Sequence, residues 1–128
     1  MAQRTILLVD DEPHIPMVVG RKLESAGFRV LTAGDGEEGL AVAEECRPDL
    51  VITDLQMPFM NGIELATALR SHGSFNTVPI ILLSARGYIA GDEAIAAAGI
   101  SRVLAKPFSV RQILDLVVEL LGPETEAA

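Results

Sequence analysis

Tryptophan is absent from this 128-residue chain, cysteine occurs once, and positive charge is scarce, with ten Lys and Arg against eighteen Asp and Glu. Each shortage excludes something. A lone Cys46 without a Cys or His at ligand spacing allows neither a disulfide frame nor a zinc site, and is best read as a small core hydrophobe. The net charge of −8 repels nucleic acid and anionic lipid, so direct binding of DNA or a membrane by this segment is not expected. Apolar residues make up 49% of the chain, yet no run approaches the roughly 18 to 20 needed to cross a bilayer. Asp10 and Asp11 arrive too early for a signal peptide. The expectation is a soluble, cytoplasmic, monomeric or weakly dimeric protein with one core and therefore one domain.

What is present is alternation. Short runs rich in Val, Ile and Leu, at Thr5–Val9, Arg29–Ala33, Leu50–Thr53, Ile80–Leu83 and Val103–Ala105, alternate with stretches of helical period. Those stretches are Pro13–Ala26, Gly36–Cys46, Asn61–His72, Asp92–Ala98 and Val110–Leu121. Five βα units around a parallel sheet follow, an α/β doubly wound class. The first, third and fourth strands are almost wholly apolar, as central strands covered on both faces must be. Gly27, Gly99 and Gly122 stand where left-handed C-terminal caps belong. Pro13 and Pro16 must both lie in a first helical turn, since a proline deeper inside costs about 3 kcal/mol. The domain reads as residues 4–121, with 122–128 a tail or the start of a linker.

In an open parallel sheet, ligands bind outside the carboxyl ends of the strands. There the sequence places Asp10 and Asp11 after strand 1, Asp54 after strand 3, Ser84 after strand 4, and Lys106 with Pro107 after strand 5. Three converging carboxylates raise one another's pKa unless a cation neutralises them, and Mg²⁺, which favours oxygen ligands, suits the set. Metal, ammonium and hydroxyl suffice to position and neutralise a transferring phosphoryl group, with Asp54 as the nucleophile forming an acyl phosphate. Taken singly, each residue has a simpler reading: Asp10 or Asp11 a cap for helix 1, Asp54 an Asx turn, Lys106 a solvated charge. Five polar side chains at the same end of four strands are harder to obtain by chance.

The chain resembles the receiver domains of response regulators from two-component and phosphorelay signalling. The resemblance rests on Val9-Asp10-Asp11-Glu12-Pro13, Asp54-Leu55-Gln56-Met57-Pro58 with Gly62, Ser84-Ala85 and Lys106-Pro107-Phe108, in order and at the family's intervals. It implies a flavodoxin-like five-stranded sheet in the order 2-1-3-4-5, helices on both faces, and a cis peptide before Pro107. It also implies that Asp54 is the phosphoacceptor, that Asp10, Asp11 and the Gln56 carbonyl join Asp54 around Mg²⁺, and that Ser84 and Lys106 contact the phosphoryl oxygens. The donor would be a histidine kinase or histidine phosphotransfer protein, and the output an unidentified partner or fused effector. Such a chain is a signalling phosphoacceptor rather than an enzyme, although it takes part in its own phosphorylation.

Two departures matter. Receivers commonly carry Tyr or Phe three residues before the strand 5 Lys, and here that place is Val103. The usual aromatic switch is therefore missing, and Ser84, Tyr88 and Val103 mark the region where a substitute is expected. Gln56 and Arg86, each two residues beyond a site residue, would tune the phosphate lifetime.

Rival chemistries fit less well. A literal G-x-G-x-x-G occurs at Gly34, Gly36 and Gly39, but Asp35, Glu37 and Glu38 fill the place a pyrophosphate would take. A haloacid-dehalogenase-type phosphatase needs a second Asp where Gln56 stands. A flavodoxin would want hydroxyls after strand 1 rather than Asp10-Asp11-Glu12, with aromatics around its flavin. A receiver-like module that binds partners without phosphorylation remains an alternative. His14 and His72 are too isolated for a second relay residue.

Overall fold

The computed structural model describes residues 3–84 and 92–122. Five parallel strands, β1 (Thr5–Val9), β2 (Arg29–Ala33), β3 (Leu50–Asp54), β4 (Ile80–Ser84) and β5 (Arg102–Ala105), form one sheet in the order β2-β1-β3-β4-β5. Helices α1 (His14–Ser25), α2 (Gly36–Cys46), α3 (Gly62–Ser71), α4 (Asp92–Ala97) and α5 (Val110–Leu121) connect or close them. The expected fold class and strand order are both observed.

Period-two alternation divides the core. Ile6 and Leu8 of β1 point to the side holding Val19 and Leu23 of α1 and Ile113 and Val117 of α5. Leu7 and Val9 point to the opposite side, with Ala43 of α2 and Leu65, Ala66 and Leu69 of α3. Every residue of β1, β3 and β4 is buried, whereas β2 and β5 at the edges are largely open. That is the signature of a sheet buried on both faces at its centre.

Local chemistry sets the helix limits. Asn61 and Ser109 begin α3 and α5 with capping boxes, their side chains accepting from the Glu64 and Gln112 N–H groups while those residues reach back. Helix α1 ends in a Schellman turn, in which Gly27 N–H donates to Glu24 and Phe28 N–H to Leu23, with Gly27 at φ 103°. Gly99 likewise adopts φ 73°, but Gly122 pairs φ 85° with an extended ψ of 165° and so is not a left-handed cap. No glycine signalled the end of α2, where Arg47 itself takes the left-handed conformation at φ 52°.

Several boundaries move by a residue. Pro13 is the N-cap of α1 rather than its first residue, Asn61 and His72 flank α3, and Asp54, Ser84 and Arg102 belong to their strands. A 3₁₀ turn at Gly73–Phe75, absent from the sequence reading, joins α3 to β4 and buries Phe75. The Lys106–Pro107 peptide is cis. Among the described residues no helix is long and apolar enough to cross a membrane.

Candidate functional site

The strand order reverses between β1 and its two neighbours, β2 and β3, so the loops after β1 and β3 leave in different directions and open a crevice at the carboxyl rim. Asp10 and Asp54 lie at its base, 4% and 5% exposed, and Asp11 stands at its open side. One carboxylate oxygen from each falls within 4.8 Å of the others. An open cleft of about 430 Å³ borders them, lined by Asp11, Leu55, Gln56, Met57, Pro58 and Asn61.

The backbone holds this cluster from below. Asp10 N–H donates to the Ala33 carbonyl at 3.1 Å, and Leu55 N–H to Leu83 at 2.9 Å, which ties the β3 end to β4. Helix α3 enters at Gly62, whose N–H donates to Leu55 at 2.9 Å. A Cβ at Gly62 would collide with the Asp54 carbonyl and lie 2.7 Å from Leu82 Cδ1. Only glycine lets the helix start so close to the Asp54 backbone.

Lys106 completes the site from β5. Its N–H donates to the Ser84 carbonyl at 2.7 Å, bringing the chain past the end of β4. Its ammonium reaches Asp54 Oδ1 at 3.0 Å and Glu12 Oε1 at 3.7 Å. Ser84 is buried at the end of β4, in register with Ala105.

Asp10 is held by one oxygen only. Oδ1 accepts from Glu12 N–H at 2.9 Å, while Oδ2 is buried with no hydrogen-bond partner among the described residues. Burial against Ile15, Pro16, Val19, Ile52 and Leu83 pushes the Asp10 carboxyl up to about 6; the Glu12 N–H and the Lys106 charge work against this, and the charges of Asp54 and Asp11 add to it. Burial also raises Asp54, more than the Lys106 bond and charge lower it. For Lys106 burial alone would lower the pKa, but the Asp54 bond and the charges of Asp54, Asp10 and Glu12 outweigh it and hold the ammonium protonated. An orphaned carboxylate oxygen beside two further carboxylates fits a hard divalent cation, which would neutralise the repulsion and occupy the open valence.

The simpler readings of Asp10, Asp11 and Lys106 do not hold. Neither Asp10 nor Asp11 caps α1, whose N-cap is Pro13 without a side-chain bond. Lys106 is 24% exposed and paired. Two glycines of the triplet serve packing: a Cβ would lie 2.7 Å from the Met60 carbonyl at Gly36 and 2.9 Å from Val9 Cγ2 at Gly39. The start of α2 is already satisfied by Asp35, which accepts from Glu38 N–H at 2.8 Å.

Gln56 is exposed on the cleft wall. Val103 lies on β5, 44% exposed, at the edge of the sheet. Arg86 and Tyr88 fall outside the described residues. Two contributors were missed. Glu12 stands in the Val9–Pro13 motif without a role of its own, because nothing in the spacing shows that its loop turns back toward Lys106. Gly62 was noted as part of a motif, but its contact with the Asp54 carbonyl depends on where α3 begins.

A doubly wound sheet with three carboxylates and one ammonium at its switch point defines the class of acidic-site, flavodoxin-like α/β domains. The chain belongs, more specifically, to the response regulator receiver domains, whose family pattern it matches over residues 6–118. It is 39% identical to the transcriptional regulatory protein PrrA of Mycobacterium tuberculosis over 91% of its own length and 49% of PrrA. It thus spans about half the length of PrrA and of several other curated relatives it matches. Among solved structures, chemotaxis response regulator CheY4 of Vibrio cholerae superposes with a TM-score of 0.87 at 33% identity, covering 94% of this chain and all of CheY4. The receiver domain of sensor histidine kinase PA1611 from Pseudomonas aeruginosa, which holds a magnesium ion in its active-site cleft, gives 0.83 at 31% identity, covering 94% and 99%.

Proposed function

We propose that residues 4–121 form a working phosphoacceptor, in which Asp54 receives a phosphoryl group from a histidine kinase or histidine phosphotransfer protein. The observation that carries this reading is the gathering of Asp10, Asp11 and Asp54 carboxylate oxygens within 4.8 Å of one another, while Lys106 contacts Asp54 at 3.0 Å.

An Asp54 carboxylate oxygen attacks phosphorus, the bond to the donor imidazole nitrogen breaks, and that nitrogen leaves with the electron pair. Asp10, Asp11, Asp54 and the Gln56 carbonyl would hold Mg²⁺, which when bound neutralises the crowded oxygens and polarises the phosphoryl group. Lys106 offers its ammonium, and Ser84 its hydroxyl, to the phosphoryl oxygens. Gln56 and Arg86 tune how readily water reaches the product. The new charge shifts Ser84 and the Tyr88 and Val103 region, and through them the interaction with an output partner or fused effector. In this reading the chain is a signalling phosphoacceptor, not a turnover enzyme, and acts in the cytoplasm.

Intact-mass spectrometry after incubation with acetyl phosphate tests this on wild type and Asp54→Ala. One phosphate adduct requiring both Mg²⁺ and Asp54 is expected. No adduct from folded protein would indicate a binding module that is not phosphorylated.

A further inference from the structure

Lys106 serves two carboxylates whose fates differ. Its Nζ lies 3.0 Å from Asp54 Oδ1 and 3.7 Å from Glu12 Oε1. Asp54 is buried at a strand end, and its charge is consumed when a phosphoryl group is attached. Glu12 is 56% exposed, and nothing in that reaction removes its charge. Its backbone is held on both sides: the N–H donates to Asp10 Oδ1 at 2.9 Å, and the carbonyl accepts from Ile15 N–H at 3.1 Å. Glu12 is therefore fixed in place relative to Asp10 rather than carried on a loose loop.

We infer that Glu12 is a positioning residue for Lys106, holding the ammonium at the open side of the site while Asp54 gives up its charge to the incoming phosphoryl group. The inference rests on the phosphoacceptor reading of Asp54. A lysine is a compact, strongly hydrated charge on a flexible stem. Between the loosening of the Asp54 bond and the arrival of the phosphoryl oxygens, an unanchored Lys106 would sample many rotamers, and part of its value at the transition state would be lost. Glu12 keeps a second anchor in reach throughout. Because a partly exposed pair is weak, its loss should slow transfer only about three- to fivefold.

Glu12 also repels an anionic donor, and that effect has the opposite sign. Removing Lys106 separates the two, because only the repulsion then remains. The experiment compares phosphorylation by acetyl phosphate at saturating Mg²⁺ in wild type, Glu12→Gln, Lys106→Met and the double variant. Glu12→Gln should slow the reaction about three- to fivefold when Lys106 is present, and not at all when it is absent. A Glu12→Gln variant as fast as wild type, or an equal slowing in both backgrounds, would overturn the inference.

A second readout does not depend on phosphorylation. The chain has two lysines, Lys22 and Lys106, so ¹³C relaxation of the lysine ε-carbons distinguishes them. In the Mg²⁺-loaded protein, Glu12→Gln should increase the motion of Lys106 and leave Lys22 unchanged. If wild type accepts no phosphoryl group, the Asp54 reading has failed and this measurement alone decides the Glu12 contact. Unchanged Lys106 motion would sink it.

Discussion

Asp10 is the residue with most to gain from a cation, and its burial ties stability to pH. Burial raises the carboxyl from 3.8 to about 6 in the folded state, so between those values the folded chain holds a proton the unfolded chain has released. The contribution to stability is fully present below about pH 4 and is lost as pH rises through about 6, in total on the order of 2 to 3 kcal/mol. In EDTA, the Tm of wild type measured against that of Asp10→Asn should therefore be several degrees higher at pH 5 than at pH 7.5. Added Mg²⁺ should flatten this dependence by favouring the ionised carboxylate. Parallel pH profiles for the two proteins would remove Asp10 from the account.

Elements meet tightly at two places. Helix α3 starts against the Asp54 backbone, so Gly62→Ala must displace either the helix or the phosphoacceptor. The expected result is a loss of at least 2 kcal/mol, roughly the cost of overpacking, with acetyl phosphate labelling reduced about tenfold or more in the fraction still folded by circular dichroism. Full labelling would mean that the β3–α3 loop absorbs the methyl. The second place is Arg70 of α3, which donates to the Phe75 carbonyl and, at 2.6 Å, to the Gly99 carbonyl. The guanidinium thus joins α3, the 3₁₀ turn and the loop into β5, and burial lowers its pKa. Arg70→Met keeps much of the apolar stem but strands two carbonyls. Urea unfolding should show a loss of about 1 to 3 kcal/mol. Gly99→Ala should also destabilise, since its Cβ would lie 2.5 Å from Arg70 Nε at a residue with φ 73°.

For the whole molecule, the site makes stability a function of metal concentration. At a hundredfold excess over its dissociation constant, Mg²⁺ should add about 2.7 kcal/mol, raising Tm by about 10 °C for a chain of this size. Calorimetry in EDTA and in Mg²⁺ would measure this, and an equal Tm in both would count against the metal site. The net charge of −8 bears on output. Curated relatives about twice as long, such as PrrA, are named transcriptional regulators. This chain by itself should show no shift of duplex DNA in a gel at about 150 mM salt, because it has too little positive charge to release phosphate counterions.

The sequence by itself determined the fold class, because strand and helix periods alternate without ambiguity and both sheet faces are written in the apolar runs of β1, β3 and β4. It also placed Asp10, Asp11, Asp54, Ser84 and Lys106 at one rim, since each stands at the end of a strand and parallel strands share a direction. Four short motifs in order carried the strand order and the family. Other features depended on distances that linear spacing does not encode. The Gly62 contact with Asp54 follows from the entry point of α3, and the Arg70 contacts from the turn that brings Phe75 and Gly99 to one side chain. Glu12 turns toward Lys106 only because its N–H bonds Asp10 and its carbonyl begins the turn into α1. The sequence could place three carboxylates together. Only tertiary structure could leave one oxygen of Asp10 buried without a partner among the described residues, because burial and hydrogen bonding are settled by what packs around a side chain.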